Sequence, residues 1–191
     1  MININPVIYP FSCESPTKPE TKGKAAELAI SPASYGLKRR QGFGYVYAIT
    51  ARTPEKQKPP GLKTRKVLEL TSSDFNGIGK LSDLQKIIEA NQSKLPPNPR
   101  RAYIGLTKNS PGKRIRAHGR SARKKSKLKV HSTMRSAGLK GKKIEATVVA
   151  SAPLDKLGAV EEAFRLNIVA NKENTCLNMR KGGAGGGGHK L

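Results

Sequence analysis

Apolar residues in this chain come in short bursts separated by proline, glycine and lysine. GFGYVYAIT (42–50) sets β-branched and aromatic residues between glycines and a turn-like ARTPEK, which predicts a strand. AYIGLT (102–107) predicts a second strand. KIEATVVASAP (143–153) predicts a third, ended by Pro153, and RKVLEL (65–70) is a further candidate. Elsewhere the period becomes helical. KLSDLQKIIEANQ carries Leu84, Ile87 and Ile88 at helical spacing, with Ser82 expected as cap and Asn91 as its end. PGKRIRAHGRSARKK enters a helix at Pro111 or Gly112. KVHSTMRSAGLKG predicts another, stopped at Gly138. LDKLGAVEEAFRLNIVANKEN has the clearest apolar stripe, through Val160, Ala163, Phe164 and Ile168.

The order β, insert, β, α, α, β, α predicts an α+β domain, or a three-layer α/β one. Its sheet is expected to be small, mostly antiparallel and three-stranded, flanked by helices. Residues 1–41 are rich in Pro, Ser, Thr and Lys and read as an extended basic arm or linker, in which only KAAELAI can hold a turn or two of helix. One domain is expected over 42–183, with an insert at 51–100 between the first two strands. Residues 184–191 read as a flexible Gly-rich tail.

Charge changes the picture most. Lys and Arg number 37 against 13 acidic residues, a net charge of +24. From Ala90 to Ile144 there is no acidic residue at all. Such a surplus points to a polyanionic partner, because each phosphate neutralised releases counterions; the plainer reading is a solvated basic face. No apolar window reaches transmembrane length, and MININPVIYPF lacks the basic n-region of a secretory signal, so no membrane association is expected. Cys13 and Cys176 make neither a disulfide framework nor a zinc site, which suits a cytoplasmic site of action.

Hydrolysis of a phosphodiester needs a deprotonated water, cationic stabilisation of the phosphate and help for the leaving oxygen. Arg114 and His118 lie four apart, on one face of a predicted helix. Arg114 can brace a phosphate and His118 can orient or shuttle a proton, although a basic segment also produces such pairs by chance. Glu161 and Glu162 offer carboxylates on the last helix; alternatively Glu161 forms an i,i+4 ion pair with Arg165. Tyr45, Tyr47 and Tyr103 lie on two predicted strands, where tyrosines usually pack. His118, His131 and His189 are far apart in sequence, and neither a phosphate-cradling glycine loop nor a two-metal acidic cluster is present.

Taken in order, YVY in GFGYVYAIT, YIG in AYIGLT, Arg114 and His118 in KRIRAH, Glu161 in GAVEEAF and Asn178 in CLNMRKGG resemble the GIY-YIG nuclease superfamily. The resemblance covers roughly residues 42–183. It implies a magnesium- or manganese-dependent DNA endonuclease that leaves a 5′-phosphate and a 3′-hydroxyl. Tyr47 and Tyr103 would position and deprotonate water, with Tyr47 favoured as the base. Arg114 would stabilise the transition state and His118 would assist proton movement. Glu161 would bind the metal, preferred over Glu162 because Phe164 then follows at the family's aromatic position. Asn178 would orient the phosphate or brace the site. DNA contacts are expected from Arg100, Arg101, Lys113, Arg116, Arg120, Arg123, Lys124 and Lys125.

This chain departs from the family pattern in two places. Gly44 stands one position earlier than in Gly-Ile-Tyr, and the insert 51–100 separates two strands that a hairpin normally joins. The insert can read bases, form a homodimer contact or bind an immunity protein. A restriction enzyme, a mobile-element nuclease and a toxin domain delivered into another cell all fit this pattern. The alternative from a different class is a non-catalytic basic nucleic-acid-binding protein.

Overall fold

Phe43–Arg52, the first strand expected from the sequence, is the strand on which the sheet is assembled in the computed structural model. The structure describes residues 4–6, 13–14, 29–30, 37, 39–52, 66–91, 101–124, 126–139, 143–170 and 175–178. The strands in chain order are β1 (Ile4–Pro6), β2 (Cys13–Glu14), β3 (Ala29–Ile30), β4 (Phe43–Arg52), β5 (Lys66–Glu69), β6 (Arg101–Thr107), β7 (Lys143–Pro153) and β8 (Thr175–Cys176). The helices are α1 (Leu81–Ala90), α2 (Pro111–Arg123), α3 (Lys129–Leu139) and α4 (Leu157–Ala170). The class is α+β.

The sheet runs β1-β5-β7-β4-β6-β8. Its middle is the expected antiparallel trio, with β4 paired to β6 on one side and β7 on the other. The expectation of three strands is nevertheless too small, since the sheet has six among the described residues and is mixed. RKVLEL supplies β5, which lies parallel to β7, and β8 adds parallel to the start of β6. Burial explains the addition: Leu68 and Leu70 are 1% and 0% exposed, and the Leu70 amide continues the pairing by donating to Ser151 O at 2.9 Å. β2 and β3 form a separate two-stranded ribbon, so Ala29 and Ile30 of KAAELAI are strand rather than helix.

Helices cover both faces. On one, α1 and α4 close over a core that includes Val46, Ala48, Leu68, Ile104, Val160 and Phe164. On the other, α2 and α3 close over Tyr45, Tyr47, Ile49, Ile115, Met134 and Val148. The described part of the insert therefore belongs to the fold. Its helix α1 buries Leu84 and Ile88 against α4, and Gln85 Nε2 donates to Asn167 Oδ1 at 3.3 Å.

Two local expectations change. Ser82 is not the cap of α1: the helix starts at Leu81, after Lys80. Capping chemistry sits one turn earlier, where the amide and hydroxyl of Thr71 each donate to Asp74 Oδ2 at 2.7 Å, opening a short 3-10 turn at Ser72–Phe75. The helix α3 runs through Gly138 to Leu139. Most of the 1–41 arm, parts of the insert, Arg100, Lys125 and the Gly-rich tail lie outside the described residues.

A bulge in the β4–β7 pairing matters for the site. Val46 faces Ala150 and Tyr47 faces Val148, so Val149 is the extra residue. Val148 joins the α2/α3 side while Val149 and Ala150 both join the α1/α4 side. A bulge of this kind bends the strand and increases its twist, here next to Tyr47.

Candidate active site

Strand register builds the first half of the site. Tyr47 on β4 faces Gly105 on β6, and Tyr103 lies two residues before Gly105, on the same face. A Cβ on Gly105 would fall 2.6 Å from the Tyr47 hydroxyl oxygen and 2.7 Å from Tyr103 Cε1. The glycine of YIG is therefore required by the two phenol rings lying over it. Gly44 is required for another reason: a Cβ there would fall 2.9 Å from the Thr107 carbonyl and closer still to the Leu157 side chain.

The helix α2 supplies the second half. Pro111 opens it directly after the turn that leaves β6, so Arg114 and His118 come back over the tyrosines. His118 Nε2 is 2.7 Å from the Tyr47 hydroxyl, and Arg114 Nε donates to the same oxygen at 3.3 Å. The His118 ring lies 5.8 Å from that of Tyr47 and 5.2 Å from that of Tyr103. Tyr47 has no exposure and His118 has 5%, whereas Tyr103 is half-buried and Arg114 is exposed.

Glu161 comes from α4, on the other layer, and is 7% exposed. Its charge is felt at Tyr47, Tyr103 and Arg114. Glu162 is engaged elsewhere, in a part-buried two-pronged ion pair with Arg165 whose Nε donates to Glu162 Oε2 at 2.6 Å. The expected alternative, Glu161 paired with Arg165, is thereby replaced by an i,i+3 pair from Glu162.

These surroundings fix the charge states. Burial first, then the neighbouring Tyr103, pushes the Tyr47 phenol far above its ordinary value. Burial and then Glu161 raise Tyr103, while the Arg114 charge and the polar groups of Tyr47 and Arg114 beside it oppose them. Burial, Arg114 and His131 hold His118 down to about 3. Burial works to lower Arg114, but Tyr47, Tyr103 and Glu161 outweigh it and its pKa rises. At neutral pH the site thus holds two neutral phenols, a neutral imidazole and a guanidinium.

Asn178 does not join the phenol cluster through any of its hydrogen bonds. Its Oδ1 accepts from the Ile104 amide at 2.9 Å and its Nδ2 donates to the Ile104 carbonyl at 2.7 Å. It braces the strand between Tyr103 and Gly105. Lys113, Arg116, Arg120, Arg123 and Lys124 recur along one exposed stripe of α2. Arg101 belongs to β6.

One neighbour was not expected. His131, on α3, places Nε2 2.9 Å from His118 Nδ1 and is 4% exposed. Thirteen residues and a turn separate the two histidines, and no spacing rule joins them. Compared with protein-family models, curated proteins and solved structures, the chain has no significant match.

Proposed function

We propose that this chain is a divalent-metal-dependent endonuclease that hydrolyses DNA phosphodiester bonds at a GIY-YIG-type site with a single metal-binding carboxylate. One observation carries the reading. Tyr47, Tyr103, Arg114 and His118 converge from β4, β6 and α2, and the charge of Glu161 on α4 acts on three of them.

Glu161 is the residue that would hold the cation. A single hard carboxylate suits Mg²⁺ or Mn²⁺, which keep water in their shells. The described residues contain no group of three or more His, Cys, Asp or Glu that would demand another ion. When bound, the cation supplies Lewis-acid stabilisation of the phosphate oxygens.

The chain's own residues supply the rest. The exposed Arg114 faces the phosphate with its outer nitrogens while Nε stays on Tyr47. Tyr47 has no exposure, so contact with the attacking water falls to the half-buried Tyr103 and not, as the resemblance suggested, to Tyr47. As water loses a proton to the Tyr103 oxygen, the Tyr103 proton would pass to Tyr47, whose ring centre lies 6.3 Å from its own. The Tyr47 proton shifts in turn towards His118 Nε2, 2.7 Å away, which takes it only in passing because burial, Arg114 and His131 keep the resting imidazole neutral. The basic stripe of α2 then holds the flanking DNA backbone through phosphate contacts.

Nicking of supercoiled plasmid in Mg²⁺, in Mn²⁺ and in EDTA tests this, with Glu161→Ala alongside. Cutting in either metal, lost in EDTA and in Glu161→Ala, is expected. A wild type that binds DNA but cuts under no divalent metal moves the chain to the basic, non-catalytic binding class. Sequencing the cut ends then reports site preference and stagger.

A further inference from the structure

We infer that His131 is a positioning residue for this site: it accepts the Nδ1 proton of His118 and so presents a bare Nε2 to the Tyr47 hydroxyl. The consequence for cleavage rests on the nuclease reading above, while the histidine pair itself stands on geometry.

A neutral imidazole carries one ring proton, and the partner of one nitrogen decides the state of the other. His118 Nδ1 is 2.9 Å from His131 Nε2, and His118 Nε2 is 2.7 Å from the Tyr47 hydroxyl. Tyr47 already receives the Arg114 Nε proton. Were His118 protonated on Nε2, a second donor would point at the same phenol, and Tyr47 could not pass its proton to the imidazole. With the proton on Nδ1, Tyr47 accepts from Arg114 and donates to His118, and His118 donates to His131.

The arrangement requires His131 to be neutral and bare at Nε2. Its own proton then sits on Nδ1, a buried atom with no hydrogen-bond partner among the described residues. Burial first, then Arg135 and Arg114, disfavour a positive His131, and His118 is the other titratable group against it. The ring's place is set by helix packing. Val130 and Met134 on either side of His131 are core residues, and Arg135 Nη1 ties α3 to the end of α2 by donating to Ala122 O and Ser126 O, both at 3.0 Å.

The experiment is long-range ¹H–¹⁵N correlation of the histidine rings in the full-length ¹⁵N-histidine-labelled protein at neutral pH, without metal or DNA. His118 is expected in the Nδ1–H form. That preference is expected to be lost in His131→Leu and restored in His131→Gln, whose amide oxygen accepts the same bond. In plasmid cleavage, His131→Leu is expected to lower kcat about tenfold to a hundredfold without moving KM, with His131→Gln recovering most of it. An Nε2–H His118 in the wild type, or an unchanged tautomer in His131→Leu, overturns the proposal. Should His131→Leu not fold, the wild-type tautomer and His131→Gln still decide. A wild type with the expected tautomer and no cleavage supports the histidine pair and sinks the nuclease reading alone.

Discussion

Tyr47 and Gly105 face each other across β4 and β6, and the Tyr47 hydroxyl oxygen lies 2.6 Å from where a Gly105 side chain would begin. One methyl group there must push the phenol off His118 and Arg114. Gly105→Ala is expected to cost about 1–3 kcal/mol of stability through overpacking. Its cleavage rate should fall further than that loss explains, because the displaced group is the link between Tyr103 and His118. Urea unfolding and single-turnover cleavage, run at a temperature where both proteins are folded, separate the two effects.

Glu161 and Glu162 are adjacent, and opposite phenotypes are expected of them. Glu162→Gln leaves the part-buried Arg165 without its carboxylate and should destabilise the fold by about 1–3 kcal/mol. Glu161→Gln should remove metal-dependent cleavage and leave DNA binding intact. Paired thermal melts and nicking assays check this; a stable, inactive Glu162→Gln would reverse the assignment.

Acid should weaken the fold. His118 titrates at 6.5 when exposed and about 3 when folded, so between those values the unfolded chain holds a proton that the native chain refuses. Stability therefore falls as pH falls through that window, by up to about 1.4 kcal/mol per pH unit for this group. The buried His131, also shifted downward, acts in the same direction. Urea titrations from pH 7.5 to pH 4.5 should show a smaller slope for His118→Gln than for the wild type.

Arg114 and the outer stripe of α2 should separate kinetically. Arg114→Ala is expected to lower kcat by about 10²–10³ with little change in DNA affinity, since its Nε is held inside the site on Tyr47. Arg116→Ala and Arg120→Ala should instead weaken binding at unchanged kcat. Each lost phosphate contact should reduce the slope of log affinity against log salt by about 0.9. Fluorescence anisotropy over a salt series, alongside cleavage at saturating enzyme, distinguishes the two groups. Equal losses in both assays for Arg114→Ala would make it a phosphate contact only.

Much of this molecule is legible in its local patterns. The alternation of GFGYVYAIT and AYIGLT announced the two strands that carry the tyrosines, and Pro111 after β6 announced the helix that carries Arg114 and His118. These features survive because backbone geometry and side-chain period act over a few residues. The partner of Arg165 was not legible, since Glu161 at i,i+4 and Glu162 at i,i+3 satisfy helical spacing equally well. RKVLEL read as a strand, but its parallel place beside β7 depends on which sheet edge was left to cover Leu68 and Leu70.

The sequence by itself determined the four helices, the strands β4, β5, β6 and β7, and the order of the candidate site residues, because each follows from spacing along one segment. Only the tertiary structure decided which of them meet. It brought His131 against His118, withdrew Tyr47 from solvent while leaving Tyr103 half-open, and turned Asn178 onto the backbone of Ile104. Burial and cross-layer distance set those outcomes, and neither is a property of any one stretch of chain. The same burial holds the phenols protonated and the imidazole neutral, so the protonation state of the site emerges with the packed core.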